Sequence, residues 1–410
     1  MSSKNILLIS FTFPPYPGIG GRRWAKFAKY LAKQGYIIHV ICSKNPFNEK
    51  SLWWDDIKHD NIKVYELASS YPLVLTQQPQ TILEKVKYHL ALLKVNLFSK
   101  GTPYDKSIFW NKNMLEKSEE LVSKHSIKNV IVSCAPFSSS YHVLQLKEKF
   151  QKLNLIVDFR DPWTWGTGYG FSVLEEKRLN HEKHMEREVI KKVDLVLVPV
   201  DIMKSHLKNN YSNYSSKIKL LPHAFDKDEI LLKSKVGNDK IIKIIFFGSL
   251  YKGIEEYIIE LAKQLVRFNG RLELIIYSDS KAYIEIFEKY ELINSTVFYK
   301  NPLPTKALFT EISSANYVLL IHPNYGIDNI STKFYEIIYS QTPILYIGGK
   351  GITSSFLEDN KVGYTFDLET IKINFSNIIS GELPYTYNLN FQINEFSFEN
   401  QTHHLAEYFI

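Results

Sequence analysis

Apolar and polar positions alternate along this chain in two different rhythms. Short, nearly unbroken apolar runs at 5–11, 36–42, 129–134, 155–158 and 194–198, and a run with interspersed charges at 62–67, are separated by stretches whose apolar residues recur every three or four positions. Such runs predict strands buried on both faces, and the stretches between them predict helices, the first around 22–34. The rhythm restarts at 241–247 and continues at 271–277, 296–299, 317–321 and 343–346. Two successive blocks of strand–helix alternation predict an α/β protein with two doubly wound parallel sheets. Polar, turn-rich sequence at 209–216 and 226–240 falls between the blocks and reads as a hinge.

Residues 68–128 break the alternation and read as a helical insertion. Within it, 81–100 carries Ile82, Val86, Leu90, Leu93 and Leu97 at helical spacing, accompanied by Lys85, Lys87, Lys94 and Lys100. A basic amphipathic helix can lie on a membrane interface. Covering a domain core is the commoner use of such a stripe, and it is the expectation adopted for this one.

At 410 residues the chain exceeds what one core organises, which agrees with two domains. No apolar run approaches a bilayer's thickness, and the short polar start leads straight into a strand with no room for a signal peptide, so a cytoplasmic location is expected. Cys42 and Cys134 read as buried reduced thiols. Residues 1–195 hold 29 Lys and Arg against 19 Asp and Glu, a surplus of +10, whereas the rest of the chain is at −3. A basic first half attracts an anionic partner, either a phosphate-bearing molecule or an anionic membrane surface. No nucleic-acid-binding signature accompanies the charge, so nucleic acid is not expected as a partner.

Four places carry candidate chemistry. Asp328 and Glu336 stand eight positions apart around a polar loop and a short amphipathic helix expected to begin near Ser331. Free N–H groups at that helix start would make Ser331, Thr332 and Lys333 a seat for a diphosphate, with the two acids placed to accept from sugar hydroxyls. A βαβ loop with two solvated acids has the same spacing. Pro14-Pro-Tyr-Pro-Gly-Ile-Gly20-Gly21-Arg-Arg23 follows the first strand; a dinucleotide fingerprint would need Gly where Arg23 stands and an acid where the second strand ends in Cys42-Ser43. The third place joins Ser133-Cys-Ala-Pro136 and His142 to Asp158-Phe-Arg160-Asp161-Pro-Trp163, both at strand ends where doubly wound folds bind ligands. The fourth is Gly248-Ser-Leu-Tyr-Lys252, after the first strand of the second block. No His-x-x-x-His or Cys-x-x-Cys cluster suggests a metal site, and no cofactor is expected.

The segment from Asp328 through Glu336 to Pro343 resembles the donor-site signature of family-4 glycosyltransferases, retaining enzymes of the GT-B fold, with Asp328 standing where the family usually has Glu. Asp158-Phe-Arg-Asp-Pro-Trp163 matches a subgroup of them in full, and the Pro-Pro…Gly-Gly loop, the Gly248–Lys252 loop, Asn301-Pro-Leu-Pro304 and Phe396-Ser-Phe-Glu-Asn400 follow in the family's order. The resemblance spans nearly the whole chain except 68–128. Departures are the absence of the loop Arg usual near Lys252, Tyr277-Ser-Asp in place of Gly-x-Gly, and Leu221-Pro-His-Ala-Phe-Asp226 in place of Pro-Asn-Gly-x-Asp.

The resemblance implies two Rossmann-like domains facing across a cleft: 1–225 on the acceptor side, 226–395 binding the donor, and a terminal helix, 396–410, packed back on the first. It implies transfer of a sugar from a nucleotide-sugar to a carbohydrate acceptor, with retention and without a metal. Asp328 would hold the sugar, Glu336 the ribose, Lys252 and Lys333 the diphosphate, Gly20 and Gly21 the phosphate and reacting sugar. Asp161 and His142 would lie on the acceptor side. The acceptor expected is a lipid-linked or surface-polysaccharide precursor, polyprenyl-diphosphate-linked and met at the inner face of a membrane through peripheral contact of the first domain. A nucleotide-sugar 2-epimerase of the same fold and a non-catalytic nucleotide-sugar-binding partner are the alternatives.

Overall fold

The computed structural model describes residues 4–166, 168–230, 241–268, 270–323, 330, 333–381, 388 and 390–410. Residues Met1–Pro222 together with Gln401–Ile410 form one compact unit, and His223–Asn400 form the other.

The first unit is built on seven parallel strands: β1 Asn5–Ser10, β2 Ile37–Ser43, β3 Ile62–Leu67, β4 Asn129–Cys134, β5 Asn154–Phe159, β6 Leu195–Val198 and β7 Ile218–Leu220. Their order is β3-β2-β1-β4-β5-β6-β7. Every residue of β4 and β5 is buried, the property that made these segments legible as unbroken apolar runs. Each buried Ile, Val or Leu contributes about 1.5–3 kcal/mol relative to an exposed one. Order reverses between β1 and β4, so the loops after these two strands diverge and leave a crevice at their carboxyl ends. The chain terminus is pinned at the opposite ends of β4 and β5. Asn129 donates to the Ile410 carbonyl and accepts from its N–H, while Asn154 donates to the Tyr408 carbonyl.

The second unit has six parallel strands: β8 Ile242–Phe247, β9 Leu272–Tyr277, β10 Val297–Lys300, β11 Tyr317–Ile321, β12 Ile344–Ile347 and β13 Gly363–Phe366. The order β10-β9-β8-β11-β12-β13 places its reversal between β8 and β11. Ile244, Leu274, Leu319 and Leu345 join Ile258, Leu261 and Phe375 in its core. Strands β7 and β13 are not evident from the apolar pattern. β7 is three residues long with an exposed Lys219, and β13 opens on Gly363, where a Cβ would sit 2.7 Å from the Ile344 carbonyl. Residues 209–216, read as hinge sequence, are instead the end of helix Asp201–Asn210 and part of the 3-10 turn Ser212–Lys217; residues 231–240 lie outside the described residues.

The insertion corrects one expectation. A helix does form, Ile82–Phe98, but the stripe of Ile82, Val86, Leu90, Leu93 and Leu97 is exposed, not packed on the core. The helix buries a different face: Val95 is fully covered against Tyr71 and Leu75, with Tyr88, Ala91 and Leu92 beside it. It is apolar on two sides, and one inner side satisfies the packing. Among the described residues, no helix is long and apolar enough to cross a membrane.

Candidate active site

In the first unit the residues after β1, β4 and β5 converge. A 3-10 turn, Ile19–Gly21, runs directly into helix Arg22–Lys33. A Cβ on Gly20 would come within 2.9 Å of the Thr12 hydroxyl, and one on Gly21 within 3.0 Å of the Thr12 carbonyl. A side chain at either position would press the loop against the end of its own strand, whatever else the glycines contact. Arg23, which breaks the dinucleotide fingerprint, has a positive role. Its guanidinium is buried and donates to Asp158 from Nε at 2.9 Å and Nη2 at 3.1 Å, and to the carbonyls of Leu221 and Pro222 at 2.7 and 2.9 Å. Trp24 adds a donation to the same carboxylate at 2.7 Å. A bidentate Arg–carboxylate pair of this kind fixes both helix and strand in orientation.

The next arginine of the motif works on loops. Arg160 donates from Nε to the Cys134 carbonyl at 2.6 Å, from Nη2 to the Ala135 carbonyl at 3.0 Å, and from Nη1 to the Gly20 carbonyl. One side chain after β5 therefore ties the loop after β4 to the glycine turn after β1. Trp163 is buried, stacks on Phe137 with centroids 5.1 Å apart, and donates to Glu182 at 2.8 Å. Glu182 also accepts from the Thr102 N–H at 2.7 Å, and burial pushes its carboxyl up to about 7.

These loops enclose a pocket of about 310 Å³ at the point where strand order reverses. Phe11, Phe137 and Phe171 give it apolar walls, while Gly20, Asp105 and Arg160 supply polar atoms. Asp105 accepts from the N–H groups of Ser107 at 2.8 Å and Ser138 at 2.9 Å, which fixes the insertion over the pocket. Lys106, contributed by the same insertion, has its ammonium pKa lowered by burial. Neither Asp105 nor Lys106 was singled out from sequence, because both lie in the segment that fits no strand–helix rhythm. Of the acids and bases that were singled out here, Asp161 is half-buried just beyond Arg160. His142 is the last residue of the short helix Ser138–His142, where burial lowers its pKa against an upward pull from Asp105. Gly20 and Arg160 line the pocket directly, whereas Asp161, His142 and Gly21 are not among its lining residues.

In the second unit, β8 ends at Gly248, whose φ of 102° is a left-handed value that other residues adopt at a cost. Lys333 lies over it. Its ammonium is 4.7 Å from the Phe247 ring centroid, and a Cβ on Gly248 would come within 2.9 Å of Nζ. Two residues 85 positions apart in the chain thus share one strand end, where the order of the second sheet reverses. Lys252 is exposed four residues further along the same loop. The helix expected from Ser331 runs Phe334–Tyr339, with Lys333 at its N-cap position and Glu336 buried in its first turn. Asp328, Ser331 and Thr332 lie outside the described residues. His322, just after β11, has a buried Nδ1 with no hydrogen-bond partner among the described residues, and burial lowers its pKa. Only its place directly after an apolar run could have marked it in the sequence. Among the described residues no group of His, Cys, Asp and Glu is arranged to hold a metal.

No family model matches the chain, and no curated protein matches it in sequence. Solved structures do match its fold. A glycosyltransferase from Rickettsia africae ESF-5 superposes with a TM-score of 0.63 at 14% identity, covering 98% of this chain and 97% of that one. HepE of Anabaena, in complex with UDP and glucose, gives 0.62 at 10% identity and 98% coverage of both chains. A putative UDP-N-acetylglucosamine 2-epimerase from Listeria monocytogenes gives 0.57 at 10% identity, covering 99% and 95%. At such identities the likeness speaks for the fold. With seven- and six-stranded parallel sheets in two α/β units, that fold is GT-B.

Proposed function

We propose that this protein is a glycosyltransferase that moves a sugar from a nucleotide-sugar to a carbohydrate acceptor with retention. The observation that carries the reading is the meeting of Lys333 with Gly248 at the end of β8. A lysine held over a glycine turn at a sheet's reversal point is suited to a diphosphate, because charge-assisted contacts to phosphate are strong and the turn admits close approach. Lys252 adds a second cation on the same loop. Lysines and backbone N–H groups stabilise a departing diphosphate electrostatically, which is why the reaction is read as metal-independent. Asp328 is assigned the transferred sugar and Glu336 the ribose, with Ser331 and Thr332 beside the phosphates. In the first unit, Gly20 and Gly21 are assigned to the donor, and Asp161 and His142 to the acceptor. The acceptor is read as a lipid-linked saccharide precursor met at the inner face of a membrane.

The likeness to a putative 2-epimerase keeps one rival in view. An epimerase interconverts nucleotide-sugars without an acceptor, and a non-catalytic binder leaves them intact. Thermal shift against a panel of nucleotide-sugars identifies the donor, since a ligand at a hundred times its Kd adds about 2.7 kcal/mol of stability. Nucleoside diphosphate released only when a saccharide acceptor is added supports transfer. Interconversion without acceptor, or binding without any turnover across the panel, overturns it.

A further inference from the structure

We propose that helix Ile82–Phe98 docks the first unit on an anionic lipid bilayer, lying in the plane of the interface. Seven of its apolar side chains face solvent: Ile82 is 82% exposed, Leu93 64% and Leu97 84%, with Leu83, Val86, Leu90 and Phe98 all above half. At 3.6 residues per turn, Ile82, Leu83, Val86, Leu90, Leu93 and Leu97 fall within roughly 100° of the helix circumference, one continuous stripe about 25 Å long. Scattered exposed leucines need no explanation, whereas a contiguous apolar strip on a helix already packed through its other face does.

The surroundings select the occupant. Lys87 and Lys94 border the stripe on one side and Lys85 on the other, all exposed, and Lys100 follows the last turn. The helix contains one acid, Glu84, which points away from the stripe and closes a capping box with Thr81: its carboxylate accepts from the Thr81 N–H at 3.0 Å, and the Thr81 hydroxyl accepts from the Glu84 N–H at 3.2 Å. Apolar side chains flanked by lysine on both sides fit acyl chains beneath a layer of phosphate head groups. Pairing with a second copy would instead press lysines of like charge together. The helix is capped and anchored through Val95 before it meets any partner, so docking does not have to fold it. The +10 surplus of residues 1–195 extends the same attraction over the whole unit.

The inference does not depend on the transfer reaction, and its test uses no sugar. Full-length protein is mixed with vesicles of phosphatidylcholine alone, or with phosphatidylglycerol added, and bound protein is measured by flotation. Binding to the anionic vesicles at least tenfold tighter than to neutral ones, weakened by 0.5 M salt, is expected on the basis of the flanking lysines. Leu90→Ser with Leu93→Ser and Leu97→Ser, all at exposed positions, should lower that binding at least tenfold with tryptophan fluorescence unchanged. Lys85→Glu with Lys87→Glu and Lys94→Glu should remove the preference for anionic lipid. Negligible binding to both vesicles at low salt overturns the proposal, as does binding that the triple serine variant keeps. A lipid-free dimer that the serine variant dissolves would also overturn it and assign the stripe to self-association.

Discussion

Asp158 is fully buried and accepts three hydrogen bonds, two from Arg23 and one from Trp24. Asp158→Asn keeps the shape and one accepting oxygen but removes the charge, leaving a guanidinium that is 4% exposed without a counter-ion. Breaking a buried pair from one side costs about 3–5 kcal/mol, because the remaining charge stays buried and uncompensated. Against a total stability of about 5–15 kcal/mol, the variant should fold but melt early, by roughly 6–20 °C for a unit of this size. The assay is selective, since all six tryptophans lie between positions 24 and 165 and their fluorescence follows the first unit alone. Urea or thermal unfolding read at that signal gives the loss. Adding Arg23→Met to Asp158→Asn removes the stranded cation and should recover at least half of it. A loss below about 1 kcal/mol for Asp158→Asn, or no recovery in the double variant, would refute the idea that this pair fixes the first helix to the sheet.

Other expectations follow from single contacts. Lys333→Ala should weaken binding of the nucleoside diphosphate at least tenfold by calorimetry, and Gly248→Ala should do the same while costing about 1–2 kcal/mol for its left-handed backbone. Arg160→Lys cannot reproduce three directed donations, one of them to Gly20, so turnover should fall more than nucleoside diphosphate affinity, whose cations, Lys252 and Lys333, are proposed on the second unit; equal losses in both would contradict that division. Glu182 has a folded-state pKa raised to about 7 from 4.5, so it holds its proton more tightly folded than unfolded. Its contribution is present in full below pH 4.5 and is lost as pH rises through 7, a span of roughly 3 kcal/mol. Glu182→Gln should flatten that slope in pH-dependent unfolding of the first unit, and an unchanged slope would place the titration elsewhere.

The strand–helix rhythm made eleven of the thirteen strands visible within about two residues, most plainly those buried on both faces, such as β4 and β5, which announce themselves as apolar runs. Strands β7 and β13 sit at sheet edges and are too short or too polar to do so. Lys333 was legible as a phosphate candidate, but its partner in space, Gly248, was read separately, since sequence carries no distance between residues 85 positions apart. The stripe on helix Ile82–Phe98 was read correctly as a stripe and wrongly as core. Periodicity reports that a face is apolar, and says nothing of what covers it when a second apolar face competes for the core.

The motif Asp158-Phe-Arg-Asp-Pro-Trp163 teaches a different lesson. It is the most specific short match in the chain, and specificity invites a chemical reading. Yet Asp158 holds Arg23 and Trp24, Phe159 is buried, Arg160 ties two loops, and Trp163 seats Glu182. Gly166 in turn has no room for a side chain, since a Cβ there would approach the Pro162 ring to 2.7 Å. Four of the six residues thus answer to the construction of one strand end. That end forms part of the wall of the 310 Å³ pocket, and a pocket wall positions a substrate only if its own backbone is held. The motif is long because three loops must be fixed at once, and Asp161 enters the proposed function through the resemblance that singled it out.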